Sequence, residues 1–184
     1  MQKLKSVAVF CGSRHGGLPV WREAAADLGR GLAAAGVQLV YGGGGVGLMG
    51  TIADAAITGG GSVIGVIPGF LQRREVAHRA LTRLEVTETM HERKRRMFDL
   101  ADGFVVFAGG IGTFDEAFEI LTWKQLGLHA KPILICDVAG SSRGLLGAIE
   151  DAVATGFADA TVCGLYEVTV GVPALLARIS GRPG

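Results

Sequence analysis

Four short segments of this 184-residue chain could carry chemistry, and each follows an apolar or strand-like run. The first is Cys11-Gly12-Ser13-Arg14. The second is Tyr41-Gly42-Gly43-Gly44-Gly45-Val46-Gly47-Leu48-Met49-Gly50, which satisfies G-x-G-x-x-G through Gly45, Gly47 and Gly50. The third is Met90-His91-Glu92-Arg93-Lys94. The fourth is Gly109-Gly110-Ile111-Gly112-Thr113-Phe114-Asp115-Glu116. A glycine turn feeding a helix presents backbone N–H groups where about half a positive charge resides, so phosphate is a natural guest. A tight structural turn is the competing reading. A dinucleotide fingerprint would also need an acidic residue at the end of the next strand. That strand ends Ile64-Gly65-Val66-Ile67-Pro68, and the loop follows the second strand rather than the first, so NAD loses support.

Two side chains in these segments invite closer reading. Met90, Met97 and Ala101 fall on one helical stripe, with Arg93 and Lys94 between the methionines. An arginine on an apolar face needs an anionic partner, because an unpaired buried charge costs several kcal/mol. Its planar fork can grip phosphate or carboxylate with two hydrogen bonds, which lysine cannot do. The alternative is an Arg93 at a frayed first turn that reaches water. Arg95 and Arg96 read as solvated surface. In the fourth segment, Thr113 and Glu116 match a T-x-x-E capping box, which by itself accounts for both residues. The functional reading turns Glu116 away from its own helix cap and toward a ligand.

These segments need elements to hold them. Strand patterns occupy residues 6–10, 37–41, 62–67, 83–87, 104–107, 132–136 and 165–170. Helical patterns occupy 20–35, 48–57, 90–101, 114–126, 144–154 and 173–179, while 70–80 reads as irregular or weakly helical. The strands are mostly continuous apolar runs, as expected when helices cover both faces of a parallel sheet. The order predicts a doubly wound, mainly parallel, Rossmann-like α/β sheet formed by residues 1–184 as a single domain. Ligands of such sheets bind beyond the carboxyl ends of the strands, near the switch in strand order.

Composition narrows the class further. The formal net charge of +1 demands neither nucleic acid nor a membrane surface. There are 30 glycines, well above a usual share of about 7%, and they show no collagen period. Cys11, Cys136 and Cys163 are odd in number and far apart, which reads as free thiols in a reducing, cytoplasmic compartment. No apolar run is long enough to span a membrane. The first five residues lead straight into a strand pattern without a signal-peptide cleavage site. His15, His78, His91 and His129 have no metal-ligand spacing, so no metal site is expected.

Taken together, the third and fourth segments resemble the paired signature of the LONELY GUY family. Its members are cytokinin riboside 5′-monophosphate phosphoribohydrolases, often mislabelled lysine decarboxylases. Cys11-Gly12-Ser13, the run from Tyr41 to Gly50, Val66-Ile67-Pro68 and Glu75-Val76-Ala77-His78-Arg79 are similar to further family segments in family order. The resemblance covers the chain from about Val7 to Leu128. One departure is Ala108, which stands where the family motif usually has proline. This loosens the loop but removes no reacting group. The resemblance implies a homodimer without a cofactor that hydrolyses the N-glycosidic bond of a purine nucleoside 5′-monophosphate, either AMP or a cytokinin type. It implies Arg93 and Glu116 as the catalytic pair. It also implies substrate contacts at Ser13, Gly42, Gly43, Gly44, Gly45, Gly47, Met90, Arg93, Lys94, Gly109, Gly110, Ile111, Gly112 and Thr113. The alternative is a non-catalytic nucleotide or molybdenum-cofactor carrier on the same fold, against which the joint presence of Arg93 and Glu116 weighs. A pyridoxal-phosphate decarboxylase would need an aldimine lysine and a pyridinium partner. The chain has few lysines, and Lys94 follows Arg93 in a phosphate-like context. The helix bearing Trp123 serves either a dimer interface or the core, with the interface the favoured reading.

Overall fold

The computed structural model describes residues 3–72, 78 and 80–181. Its strands are β1 (Ser6–Phe10), β2 (Gln38–Tyr41), β3 (Val63–Pro68), β4 (Arg83–Thr87), β5 (Gly103–Val106), β6 (Ile133–Asp137) and β7 (Glu167–Val170). They form one sheet in the order β4-β3-β2-β1-β5-β6-β7, and every pairing is parallel. The helices are α1 (Pro19–Ala35), α2 (Gly47–Thr58), α3 (Met90–Leu100), α4 (Ile111–Gln125), α5 (Arg143–Ala154) and α6 (Gly171–Ile179). None of the described helices is long and apolar enough to cross a membrane.

Alternate residues of the central strands feed two separate cores. Val7, Val9, Leu39, Tyr41, Val105 and Phe107 point to the face covered by α1, α2 and α6. Ala8, Phe10, Val40, Phe104, Val106 and Ile135 point to the face covered by α3, α4 and α5. Each large apolar side chain buried this way contributes about 1.5–3 kcal/mol. That is why β1, β3 and β5 are buried at every position. The edge strand β4 carries Arg83 and Glu85 and is only partly covered.

The strand order reverses between β1 and β5. From β1 the chain builds outward through β2, β3 and β4, then returns to β5 and builds the other way. This doubly wound arrangement opens a crevice where the two directions part.

The sequence patterns and the structure differ at a few boundaries. Helix α4 begins at Ile111, three residues before the patterned start, because Gly110 takes the N-cap position with an extended backbone. The region 165–170 holds a shorter strand, preceded by a 3-10 helix at Ala160–Gly164 whose N-cap Asp159 accepts from Thr161 N. Of the segment 70–80, residues 73–77 and 79 lie outside the described residues. The family-like stretch from Glu75 to Arg79 therefore receives no structural account apart from His78. The paired arginines are not merely solvated. Arg96 Nε donates to Glu85 on β4 at 2.5 Å, and Arg95 Nε donates to Asp99 at 3.0 Å.

Helices α1 and α2 pack closely enough to require a missing side chain. Gly29 is buried in α1, and a Cβ there would overlap the carbonyl oxygen of Ile52 and lie 2.8 Å from Ala55 Cβ. Gly29→Ala is expected to cost about 1–3 kcal/mol by overpacking, read as a lower urea midpoint. Gly147 in α5 is exposed with open space where its Cβ would be. Gly147→Ala should raise the midpoint instead, by about 0.5–1 kcal/mol. An unchanged midpoint for Gly29→Ala would show that the two helices can slide apart freely.

Candidate active site

The crevice begins as a continuation of the sheet. Beyond the ends of β1 and β5, Phe107 N donates to Phe10 O at 2.9 Å and Gly12 N donates to Ala108 O at 2.9 Å. These bonds hold the first and fourth chemical segments side by side. Gly109 permits the contact, since a Cβ there would overlap Thr113 Oγ1 and lie 3.0 Å from Gly12 N. Thr113 is accordingly buried.

Helix α4 has no side-chain cap. Gly110, Ile111, Gly112 and Thr113 all line the cleft, so the first-turn N–H groups belong to its wall. This overturns the T-x-x-E capping box at Thr113. Thr113 is already inside the helix, and Glu116 has no cap to serve. The capping motif belongs instead to α3, where Thr89 Oγ1 accepts from Glu92 N at 3.1 Å. Glu92 Oε2 in turn accepts from Glu88 N at 2.9 Å. Thr89-x-x-Glu92 was the signal available in the sequence for this cap.

A capped first turn gives Arg93 a fixed position one turn inside α3. Its side chain is 5% exposed, and it lies on the buried stripe with Met97. Glu116, 8% exposed, comes from α4. Arg93 Nη2 and Glu116 Oε1 lie 3.7 Å apart, and both residues line the cleft. Arg93 Nη1 also contacts Met90 Sδ at 3.7 Å, while its buried Nε has no hydrogen-bond partner among the described residues. Cys11 sits beside the pair. Burial pushes its thiol well above the usual range, the Glu116 carboxylate adds to this, and Arg93 opposes it. Cys11 thus stays a neutral thiol, not a nucleophile.

The cleft has a volume of about 600 Å³, within the range of small-molecule sites. It takes in Ser13, Gly42, Met90, Arg93, Gly109, Gly110, Ile111, Gly112, Thr113 and Glu116. Gly43, Gly44, Gly45 and Gly47 are not on its wall. Two close approaches in this run are packing contacts: Gly47, at φ +64, abuts the backbone of Ser13 and Arg14, and Gly50 abuts Gly45. The α2 amide of Met49 donates to Gly12 O at 3.2 Å, so the second segment clasps the first. Lys94 also stays off the wall. It pairs with Asp115 at 3.2 Å and Glu119 at 3.1 Å, tying α3 to α4. Burial opposes the charge of its ammonium, but the hydrogen bonds to Glu119 and Asp115 prevail and raise its pKa.

Sequence reasoning did not single out Trp21, Leu48, Met49 and Ser141 as cleft residues, though all four line it. Ser141 follows β6, which neighbours β5 only because of the strand order. Trp21 lies in the first turn of α1, directly after the first segment, and that proximity was the available signal.

Fold and site together define a class: a doubly wound α/β protein with a buried arginine–glutamate pair in its switch-point cleft. Comparison with known proteins narrows this. The family described as "Possible lysine decarboxylase" matches residues 49–179. A cytokinin riboside 5′-monophosphate phosphoribohydrolase from Rhodococcoides fascians is 47% identical over 154 residues, covering 83% of this chain and 78% of that protein. One of the same name from Arabidopsis thaliana is 42% identical over 159 residues, covering 86% and 75%. The chain belongs to this family, the LONELY GUY family. Among solved structures, the molybdenum cofactor carrier protein of Chlamydomonas reinhardtii superposes with a TM-score of 0.73 at 20% identity, covering 98% of both chains. The molybdenum cofactor binding protein of Rippkaea orientalis gives 0.71 at 20% identity, again covering 98% of both. At that identity the likeness is one of fold.

Gly42 controls where Arg93 can sit, because a Cβ on Gly42 would overlap Arg93 Nη2 and lie 3.0 Å from Met49 Sδ. Both obstacles are side-chain atoms, so Gly42→Ala should fold with a melting temperature within a few degrees of wild type. Its crystal structure should show the guanidinium displaced from Glu116. An unmoved guanidinium would mean that Gly42 has no part in holding the pair.

Proposed function

We propose that this protein, acting as one nucleotide-binding domain, hydrolyses the N-glycosidic bond of a purine nucleoside 5′-monophosphate. The products are the free base and ribose 5-phosphate, and AMP and cytokinin-type ribotides are the candidate substrates. The observation that carries the reading is the buried Arg93–Glu116 pair beside the uncapped start of α4. The names of the relatives support the same reaction.

The 5′-phosphate is assigned to the amides of the Gly109 to Thr113 turn, with Ser13 and Gly42 on the adjoining walls. Its negative charge suits the positive end of α4. As the bond from C1′ to the base nitrogen breaks, its electron pair leaves with the base and positive charge builds on the ribose. Glu116 is placed to stabilise that charge, hold the ribose hydroxyls or take the proton from the attacking water. The water oxygen then bonds to C1′, and the proton taken from the water passes on to the base nitrogen, so the base leaves neutral. Arg93 orients Glu116 across their 3.7 Å contact. Met90 packs against the guanidinium. Lys94 braces α3 against α4 through Asp115 and Glu119, and Gly47 packs against the backbone of Ser13 and Arg14.

Base release should be measured across nucleoside monophosphates, nucleosides and nucleoside diphosphates. Monophosphates alone are expected to turn over. Glu116→Gln and Arg93→Ala should each lose about 10²-fold or more in kcat/KM while remaining folded. A wild-type protein that binds AMP and returns it intact after long incubation would instead identify a carrier module.

The quaternary state and compartment belong to the same reading. The outer face of α4 and the turn after it expose Phe118 (38%), Leu126 (68%) and Leu128 (66%). We assign this apolar stripe to a second copy of the chain, in keeping with the homodimer that the family resemblance implies. Trp123 lies inward of the stripe, packed edge-on against Phe98 at 5.2 Å, so it backs the contact and does not make it. Phe118→Asp should shift the mass measured by light scattering toward a monomer, and a wild-type protein already monomeric at micromolar concentration would refute the assignment. The three free thiols support a reducing, cytoplasmic setting.

A further inference from the structure

The proposed reaction needs a wall for a flat aromatic base. Among the described residues, those that line the cleft include two rings, His15 and Trp21. His15 is exposed, with no hydrogen bond to hold it among the described residues. Trp21 is half-buried and fixed at two edges. Its Nε1 donates to Val138 O at 2.9 Å, across the cleft mouth from α1 to the turn after β6. Its six-membered ring lies directly against Gly16, where a Cβ would overlap Cε3. Gly16 has φ +76, a conformation that favours glycine, so the loop holds this close approach at no steric cost. Ser141 N donates to the same Val138 carbonyl at 3.1 Å, and Ser141 Oγ accepts from Val138 N at 3.1 Å. The tether is therefore a rigid turn, not a flexible strap. Leu48, Met49 and Val9 continue the apolar wall beside the indole.

We propose that the Trp21 indole is the stacking surface for the departing base. The inference rests on the hydrolase reading above and adds which residue grips the base. Stacking of a base on an aromatic side chain tolerates substituents at the base edge because it uses the ring face. A ring already locked by Val138 and Gly16 loses little freedom when the base arrives. Stacking holds base and substrate alike throughout the reaction, so its loss appears mainly in KM.

The chain has two tryptophans, and Trp123 does not line the cleft. In a Trp123→Phe background the emission therefore reports Trp21 alone. Glu116→Gln in the same background slows turnover during titration. AMP should quench or shift this emission, whereas ribose 5-phosphate should leave it nearly unchanged. In steady-state assays, Trp21→Leu should raise KM for AMP about tenfold or more, with a smaller change in kcat. Trp21→Phe keeps a ring but loses the Val138 tether, and should recover most of that loss. If wild type releases adenine from AMP while Trp21 emission stays silent at saturation, the stacking proposal is wrong and the hydrolase reading stands. The same holds if Trp21→Leu leaves KM unchanged. If wild type neither binds nor cleaves AMP, both fail. Should Trp21→Leu not fold, the emission titration still decides, because it uses the native indole.

Discussion

Two opposite charges buried within 3.7 Å of each other are the demand around which this molecule is arranged. Taking either one out of water costs several kcal/mol unless its partner is well placed, and removing one partner strands the other. Arg93 and Glu116 are encoded 23 positions apart, on different helices. Their meeting therefore depends on the packing of α3 and α4 on one face of the sheet. Met97 and Phe98 from α3, and Ala117, Ile120 and Leu121 from α4, enter the same apolar core as Phe10 and Phe104. Lys94, bonded to Asp115 and Glu119, fixes the distance between the helices one residue away from the pair.

The sheet supplies the second half of the arrangement. Parallel strands that part at β1 and β5 leave two loop ends side by side, joined by backbone bonds that continue the ladder beyond the strands. An uncapped helix start then opens onto the space between them. The positive end of a helix dipole, a guanidinium and a carboxylate thus meet at one edge with little loop length spent. Glycine serves two separate needs here. At 109 it lets the turn press against Thr113. At 47 and 50 it lets backbone pack on backbone.

That division explains what could be read in the sequence. The strand runs and the doubly wound order were legible because burial on both faces forces continuous apolar residues, as in Ser6–Phe10 and Val63–Pro68. Arg93 stood out as a charge on an apolar stripe, and the structure buries it there. The glycine run after β2 was harder to interpret. A phosphate cradle and a close backbone contact need the same residue for the same steric reason, and only the position of Ser13 in space separates Gly47 from Gly42. The capping box at Thr113 misled for a related reason. Its pattern was satisfied, but Gly110 started the helix three residues sooner. Lys94 shares a motif with Arg93, yet one step along a helix turns a side chain by about 100°, here from the cleft toward α4. Ser141 was hidden because it follows β6, whose place beside β5 is set by a strand order that is not written locally.

Helix α3 is anchored at its far end too. Lys131, from the opposite edge of the sheet, donates to the Phe98 carbonyl at 2.6 Å and lies 4.1 Å from the Phe98 ring centre. With Thr89 closing one terminus and Lys131 the other, the eleven-residue rod has both ends pinned. Its tilt is then a property of the back of the molecule as much as of the front. Lys131 thus bears on where α3 holds its guanidinium, although it does not line the cleft itself.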